Sequence, residues 1–266
     1  MRIGVVIPVF NEQLLLPRLI ERLDATPPPR LPDGGACQRL IFLIDDASTD
    51  GTRDIIEHLA RRDHVFVSLT DRNRGKGSAL QRGFAMALEE GVDVTIVQDA
   101  DLEYDPSDHQ AALDPILSGK ADAVIGTRFL GQSHRVLYFW HAIGNRLITL
   151  VSNMCSNLNL SDIECGTKCY TRDVLQRLTL SEPRFGVEPE MVAKLARMRL
   201  PEGETTRAVR IFEVPISYAG RTYAEGKKIG WRDGFSALRC ILRYNLLSAS
   251  YTHPTLPPIT PIYTTD

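Results

Sequence analysis

The chain opens on an unbroken apolar run, Ile3-Gly4-Val5-Val6-Ile7-Pro8-Val9, and short runs of the same kind return at 40–44, 64–69, 94–97 and 121–125. Runs of this length, rich in β-branched residues and without polar alternation, belong to strands buried on both faces. Between them, apolar residues recur at three- and four-residue intervals, as in Leu15, Leu19, Ile20 and Leu23, and again within 52–62, 76–90 and 107–117. That spacing predicts amphipathic helices. Strand and helix alternating at this rhythm predict an α/β fold with a mostly parallel central sheet and helices on both faces. The segment 26–35, with four prolines and two glycines, predicts a surface loop.

The rhythm changes after residue 128. Residues 135–160 read as one helix whose Val136, Trp140, Ile143, Leu147, Leu150, Val151 and Met154 form an apolar stripe. Burial is the ordinary fate of such a stripe, and a membrane surface is the alternative. A helix over 189–199, a strand over 208–215 and a helix over 231–246 follow. Residues 252–266 hold four prolines among threonines and read as an extended tail. The expected organisation is a single domain over 1–251, with a nucleotide-binding part over 1–128 and an acceptor part over 129–251.

Composition narrows the function classes. With 266 residues, 43% of them hydrophobic, the chain can bury a large core. A net charge of −2 provides no basic field, so nucleic acid is not the expected partner and any anion site must be built locally. Five scattered cysteines, Cys37, Cys155, Cys165, Cys169 and Cys240, predict reduced thiols in the cytoplasm. The longest uncharged stretch within the expected fold, 147–161, is too short and too rich in Asn and Ser to span a bilayer. Contact with a membrane would therefore be peripheral.

Candidate chemistry gathers at the predicted carboxyl ends of strands, where open α/β sheets bind ligands. Asp99-Ala100-Asp101 follows the run Val94–Val97 directly. Two carboxylates at that spacing suit Mg²⁺ or Mn²⁺, hard ions that take one or two protein carboxylates and complete their shell with water and a diphosphate. A solvated turn is the other reading of the pair alone. At the end of the first strand stand Asn11 and Glu12; at the end of the second, Asp45 and Asp46 can read a base N–H or a ribose hydroxyl. Asn73-Arg74-Gly75-Lys76-Gly77 leads into a helix and combines free backbone N–H groups with cationic side chains, but it lacks Walker spacing. Glu188 and Glu190 open a later helix as dipole caps or as functional acids. Arg221, Lys227 and Lys228 stand in a Gly-bounded loop.

Taken in order, Val-Ile-Pro-Val-Phe-Asn-Glu, Asp-Asp-Ala-Ser-Thr-Asp-Gly-Thr, Asn-Arg-Gly-Lys-Gly and Asp-Ala-Asp-Leu-Glu-Tyr-Asp-Pro resemble the inverting family-2 glycosyltransferases of GT-A fold. The nearest branch is the dolichol-phosphate mannose synthase and polyprenyl-phosphate glycosyltransferase group, and the resemblance runs from Ile3 to Asn245. It implies a UDP- or GDP-sugar donor, a polyprenyl phosphate acceptor and Mg²⁺ or Mn²⁺. By position, Pro8, Asn11 and Glu12 would line the nucleoside pocket and Asp46 would read the base. Asp99 and Asp101 would hold the metal, with Asp101 the firmer ligand and Glu103, where the branch usually has Gln or His, as the third. Ala47 replaces a usual Gly. Gly126-Thr127-Arg128-Phe129 matches an element in which the Arg meets phosphate, and Arg135, His141 and Asn145 are the nearest candidates for the acceptor.

Glu164, within Asp162–Lys168, would stand near the reacting sugar and, with Glu188 and Glu190, supply a base if the acceptor were an alcohol. Arg221 and Lys228 would face the leaving diphosphate. Many members of the branch carry carboxy-terminal membrane helices, so a membrane partner subunit is an alternative means of attachment. Rival readings are a transferase acting on a hydroxyl acceptor, a nucleotide-sugar-binding module without turnover, and a nucleotidyltransferase. The last would place a Gly-rich signature where this chain has Pro8–Glu12.

Overall fold

A computed structural model describes residues 1–131, 135, 138–221 and 231–247. The first half follows the expected alternation: β1 (Arg2–Val9), α1 (Leu16–Ala25), β2 (Gln38–Asp45), α2 (Thr52–Leu59), β3 (Val65–Ser68), α3 (Lys76–Glu89), β4 (Val94–Val97), α4 (His109–Leu117) and β5 (Ala123–Thr127). Then come α5 (Phe139–Ser156), β6 (Lys168–Thr171), the short α6 (Arg172–Leu175), α7 (Val187–Arg197), β7 (Arg199–Glu202), β8 (Thr205–Ala208), β9 (Ile211–Pro215) and α8 (Trp231–Leu242), which continues as a π turn over Arg243–Leu247. The main sheet has the order β3-β2-β1-β4-β6-β5-β9, and β6 alone among its strands runs antiparallel to its neighbours.

Burial on both faces explains the unbroken apolar runs. Along β1 and β2, Val6, Phe42 and Ile44 point to one side, where α3, α7 and α8 cover them with Leu80, Phe84, Val187, Met191 and Ile241. Val5, Ile7, Ile41 and Leu43 point to the other, against Leu19, Leu23, Ile56 and Leu113 of α1, α2 and α4. Alternate residues thus enter two cores. Gly83 lets α3 lie directly on β1, since a Cβ there would collide with Val6. With β1, β2, β4, β5 and β9 parallel, their carboxyl ends share one edge, and antiparallel β6 brings its amino end to the same place.

Two expectations change. The strand expected over 208–215 is a hairpin strand ending at Ala208 followed by β9 from Ile211, and Arg207 and Arg210 fasten the turn to Asp122. The helix expected over 135–160 spans Phe139–Ser156, and its stripe is largely exposed, with Val151 half-buried against the core and Val136 outside the described residues. Trp140 is 77% exposed, Leu147 60% and Met154 70%, and only Thr149 and Ser152 of this helix are fully enclosed. A helical period locates a stripe but not what covers it. No helix among the described residues is long and apolar enough to cross a membrane. The tail over 252–266 and Lys228 lie outside the described residues.

Candidate active site

The turn after β4 carries three carboxylates. Asp99 pairs with Lys76 at 2.8 Å, and Gly166 backs it so closely that a Cβ would strike its Oδ2. Ala100 is buried between the two acids. Burial first, then the charges of Asp99 and Glu103, push the Asp101 carboxyl up to about 7, while Arg221 opposes the rise. The Arg221 guanidinium meets Asp101 Oδ2 at 2.7 Å, Glu103 Oε1 at 3.4 Å and Glu12 Oε1 at 3.7 Å. Leu102 between the acids has φ +61, a left-handed conformation that is strained for a branched side chain.

The residues expected on the donor side mostly hold one another. Asn11 donates its N–H to Ser48 Oγ and accepts from Thr49 N with Oδ1, which ties the ends of β1 and β2 together. Pro8, in β1 beside Ile44, is half-buried at this edge. Asp45 closes a turn by accepting from Ser48 N. Asp46, expected to face a base, instead turns onto the glycine loop, where it accepts from Arg74 N at 3.0 Å and Gly75 N at 2.6 Å. Ala47, at φ +64, occupies the conformation that the replaced Gly would adopt freely, at a cost of about 1 kcal/mol.

Behind Lys76 runs a buried chain of charge assembled from residues distant in sequence. Lys76 Nζ also reaches Glu188 Oε1 at 3.0 Å, and Glu188 Oε2 accepts from the fully buried Lys168, which further donates to the Cys165 carbonyl. Burial pulls Lys76 down, but Asp99 and Glu188 more than restore it. Glu164 lies in the field of Glu188. Burial first, then that neighbour, push its carboxyl up to about 7, against Lys168 and Arg128, and its enclosed Oε1 has no hydrogen-bond partner among the described residues.

A carboxyl raised from 4.5 stabilises the fold below that pH and loses this contribution as pH rises through about 7. Glu164→Gln is therefore expected to match the wild type near pH 4.5 and exceed it by about 1–2 kcal/mol at pH 8 in urea unfolding, a value discounted for its contact with solvent. The same difference at both pH values would contradict this.

Arg128, just after β5, is fixed from all around. It pairs with buried Asp162 at 2.6 and 2.8 Å, donates to Asn145 Oδ1 at 3.2 Å, and lies 5.2 Å from the Tyr218 ring centroid. Asn145 Nδ2 donates to Asp162 Oδ1, so α5 is tied to the site through this residue. His141, one turn earlier on the same face, has its ring 5.8 Å from that of Tyr138. Arg135 grips the opposite segment, donating its N–H to the Tyr218 carbonyl and Nη1 to that of Gly220, both at 3.0 Å. Glu190 does not join this assembly. Its oxygens accept from Ser181 N, Glu182 N and Lys194, so it holds the 179–182 segment.

No three His, Cys, Asp or Glu side chains converge as a ready-made metal cage among the described residues. The expected triad of Asp99, Asp101 and Glu103 is therefore not gathered. Glu103 spends its carboxylate on Tyr218 Oη at 3.0 Å and on Arg221. Asp101 with Asp99 still fits Mg²⁺ or Mn²⁺, because these ions lean on one or two carboxylates and on a bound diphosphate. The residues missed in sequence are Tyr104, Tyr218, Asp162 and Lys168. Each gains its meaning from a partner distant in the chain, as Gly166 N does from Tyr104 Oη.

Acids paired with cations gather at the carboxyl edge of a mostly parallel sheet, beside a glycine loop at a helix start, which is where open α/β sheets bind ligands. The chain belongs to glycosyl transferase family 2, whose pattern matches residues 4–179. It is 30% identical over 239 residues to an undecaprenyl-phosphate mannosyltransferase of Micrococcus luteus, covering 86% of this chain and 88% of that one. It is 28% identical to an undecaprenyl-phosphate 4-deoxy-4-formamido-L-arabinose transferase of Pseudomonas syringae, covering 95% of this chain and 66% of that one, so it spans just under two thirds of that relative. In structure it is similar to glucosyl-3-phosphoglycerate synthase of Mycobacterium tuberculosis in complex with Mn²⁺, UDP and phosphoglyceric acid. The TM-score is 0.65 at 20% identity, over 94% of this chain and 80% of that one, a likeness of fold.

Proposed function

We propose that this glycosyltransferase moves one sugar from a UDP- or GDP-sugar to a polyprenyl phosphate at a membrane surface, with inversion. The observation that carries the reading is the double role of α5: Asn145 bonds Arg128 at the acceptor side while Phe139, Trp140, Leu147, Leu150 and Met154 stand exposed. Exposed Phe235 and Leu246 extend the apolar surface on the α8 side. An apolar face this large calls for an apolar partner. The names of the relatives support a lipid-linked acceptor.

Lys76 and Arg221 would flank the leaving diphosphate, and Arg128, held rigid by Asp162, would position the acceptor phosphate. A divalent metal held by Asp101 and Asp99 would neutralise charge on the diphosphate. A phosphate nucleophile is already anionic at neutral pH and needs no strong base.

The deciding assay supplies UDP- and GDP-sugars, Mn²⁺ and polyprenyl phosphate and looks for a chloroform-extractable glycolipid. Donor hydrolysis alone, with no lipid product, would overturn the proposal. Trp140→Glu together with Leu147→Glu is expected to weaken co-sedimentation with phosphatidylglycerol vesicles at least tenfold, each lost apolar contact contributing about 1.5 kcal/mol or more. Unchanged vesicle binding would remove α5 from the membrane role. The second reading, a hydroxyl acceptor, is favoured by one observation, the raised Glu164 carboxyl with its unpartnered oxygen. A general base contributes about a hundredfold or more, so Glu164→Gln would cost that much under this reading and little under the first.

A further inference from the structure

Arg221 is seated with more precision than a solvent-facing arginine needs. All three of its guanidinium nitrogens lie within 3.7 Å of a carboxylate oxygen, from Asp101, Glu103 and Glu12, and its side chain is only 16% exposed. The backbone that carries it is fastened from two sides. Ala219 N donates to the Glu103 carbonyl, Tyr218 Oη and Arg221 N donate to the Glu103 carboxylate, and Tyr104 and Tyr218 form a β-bridge. From the opposite side Arg135 holds the Tyr218 and Gly220 carbonyls. The negative charge of Glu103 is thereby engaged by Arg221 and its segment.

We propose that Arg221 is a built-in counter-cation of the donor carboxylates, which a divalent metal must displace and a nucleotide diphosphate draws away, so that metal and nucleotide load together. A dication and a guanidinium cannot share Asp101 at contact distance without strong mutual repulsion. Metal arriving alone must break the 2.7 Å contact with Asp101, the shortest of the three, and leave Arg221 with only the longer contacts to Glu103 and Glu12. A diphosphate offers the planar guanidinium two oxygens at once, so the same displacement becomes favourable when nucleotide is present. The coupling is reciprocal: whatever factor nucleotide adds to metal affinity, metal adds to nucleotide affinity. The inference rests on the donor half of the proposed function and is independent of the acceptor.

The test is calorimetric titration of Mn²⁺ into the intact protein, with and without UDP or GDP. Arg221→Gln is expected to bind Mn²⁺ alone about tenfold more tightly than the wild type, and its gain on adding nucleotide is expected to shrink. Arg221→Lys, which keeps the charge, should stay within about threefold of the wild type. Arg221→Met provides the same readout as Gln should that variant fail to fold. Equal or weaker Mn²⁺ binding by both neutral variants overturns the proposal, as does an absence of Mn²⁺ binding by any form even with nucleotide. A missing glycolipid product combined with the expected Mn²⁺ behaviour would defeat the acceptor reading and leave this one standing.

Discussion

Asp101→Asn is expected to reduce sugar transfer by about three orders of magnitude while leaving the protein at least as stable as the wild type at pH 7. The two halves of this result have one cause. Burial, Asp99 and Glu103 together outweigh Arg221 and push the Asp101 carboxyl up to about 7, so the folded chain is an unfavourable host for that charge. Asn preserves the shape and can still accept from Glu103 N, as Asp101 Oδ1 does at 3.2 Å. It removes repulsion and one of the three carboxylates on Arg221. Under the proposed function, what it would not supply is a formal charge for a divalent metal opposite a diphosphate, an interaction of about 4 kcal/mol in the transition state. Turnover with UDP- and GDP-sugars and the urea midpoint, measured on the same preparation, decide it. Retained activity removes the role of Asp101 in the donor site, and a large drop in midpoint would make it a structural residue instead. A site that stores unfavourable charge for use on a ligand trades stability for activity.

The parts of this architecture that were legible in sequence are those with a local signature. Ile3–Val9 is a buried strand because nothing polar interrupts it, and Asp99-Ala100-Asp101 could be placed at a strand end because Val94–Val97 precedes it. What was not legible depends on the other side of a contact. Lys168-Cys169-Tyr170-Thr171 is too short and too little patterned to announce a strand, and it becomes one by pairing antiparallel with both β4 and β5. Trp140 and Leu147 lie on a helical stripe in either reading, and whether protein covers them is decided by elements far away in sequence. Asp46 looks like any acid at a strand end until the amides of Arg74 and Gly75 arrive to occupy it. Ala47 was not legible for the same reason: its side chain is small, but φ +64 is a backbone demand that side-chain size does not reveal.

Lys168→Met is expected to destabilise the fold by about 3–5 kcal/mol. The side chain is fully enclosed, and its ammonium is the hub of Glu188 Oε2 and the Cys165 carbonyl, with the Ile163 carbonyl at 3.4 Å. Met fills nearly the same volume, so little of the loss is a cavity. The cost is electrostatic. Glu188, itself 3% exposed, would keep Lys76 as its ion-pair partner, while Lys76 is shared with Asp99. Glu164, already raised by burial and by Glu188, would lose one of the cations that oppose the rise. Two carboxylates would then compete for one ammonium in a region with little water.

The double variant Lys168→Met/Glu188→Gln separates this account from simple packing. Removing the under-compensated charge is expected to recover roughly half of the loss, because a neutral amide at position 188 no longer competes with Asp99 for Lys76 in a buried region. Urea unfolding of the three proteins measures it, with a common slope as the check on two-state behaviour. A double variant as unstable as Lys168→Met alone would mean that the carbonyls of Cys165 and Ile163, not Glu188, are what Lys168 holds. The 163–168 turn would then be fixed by its own backbone, and Lys76 would meet Glu188 without help from β6.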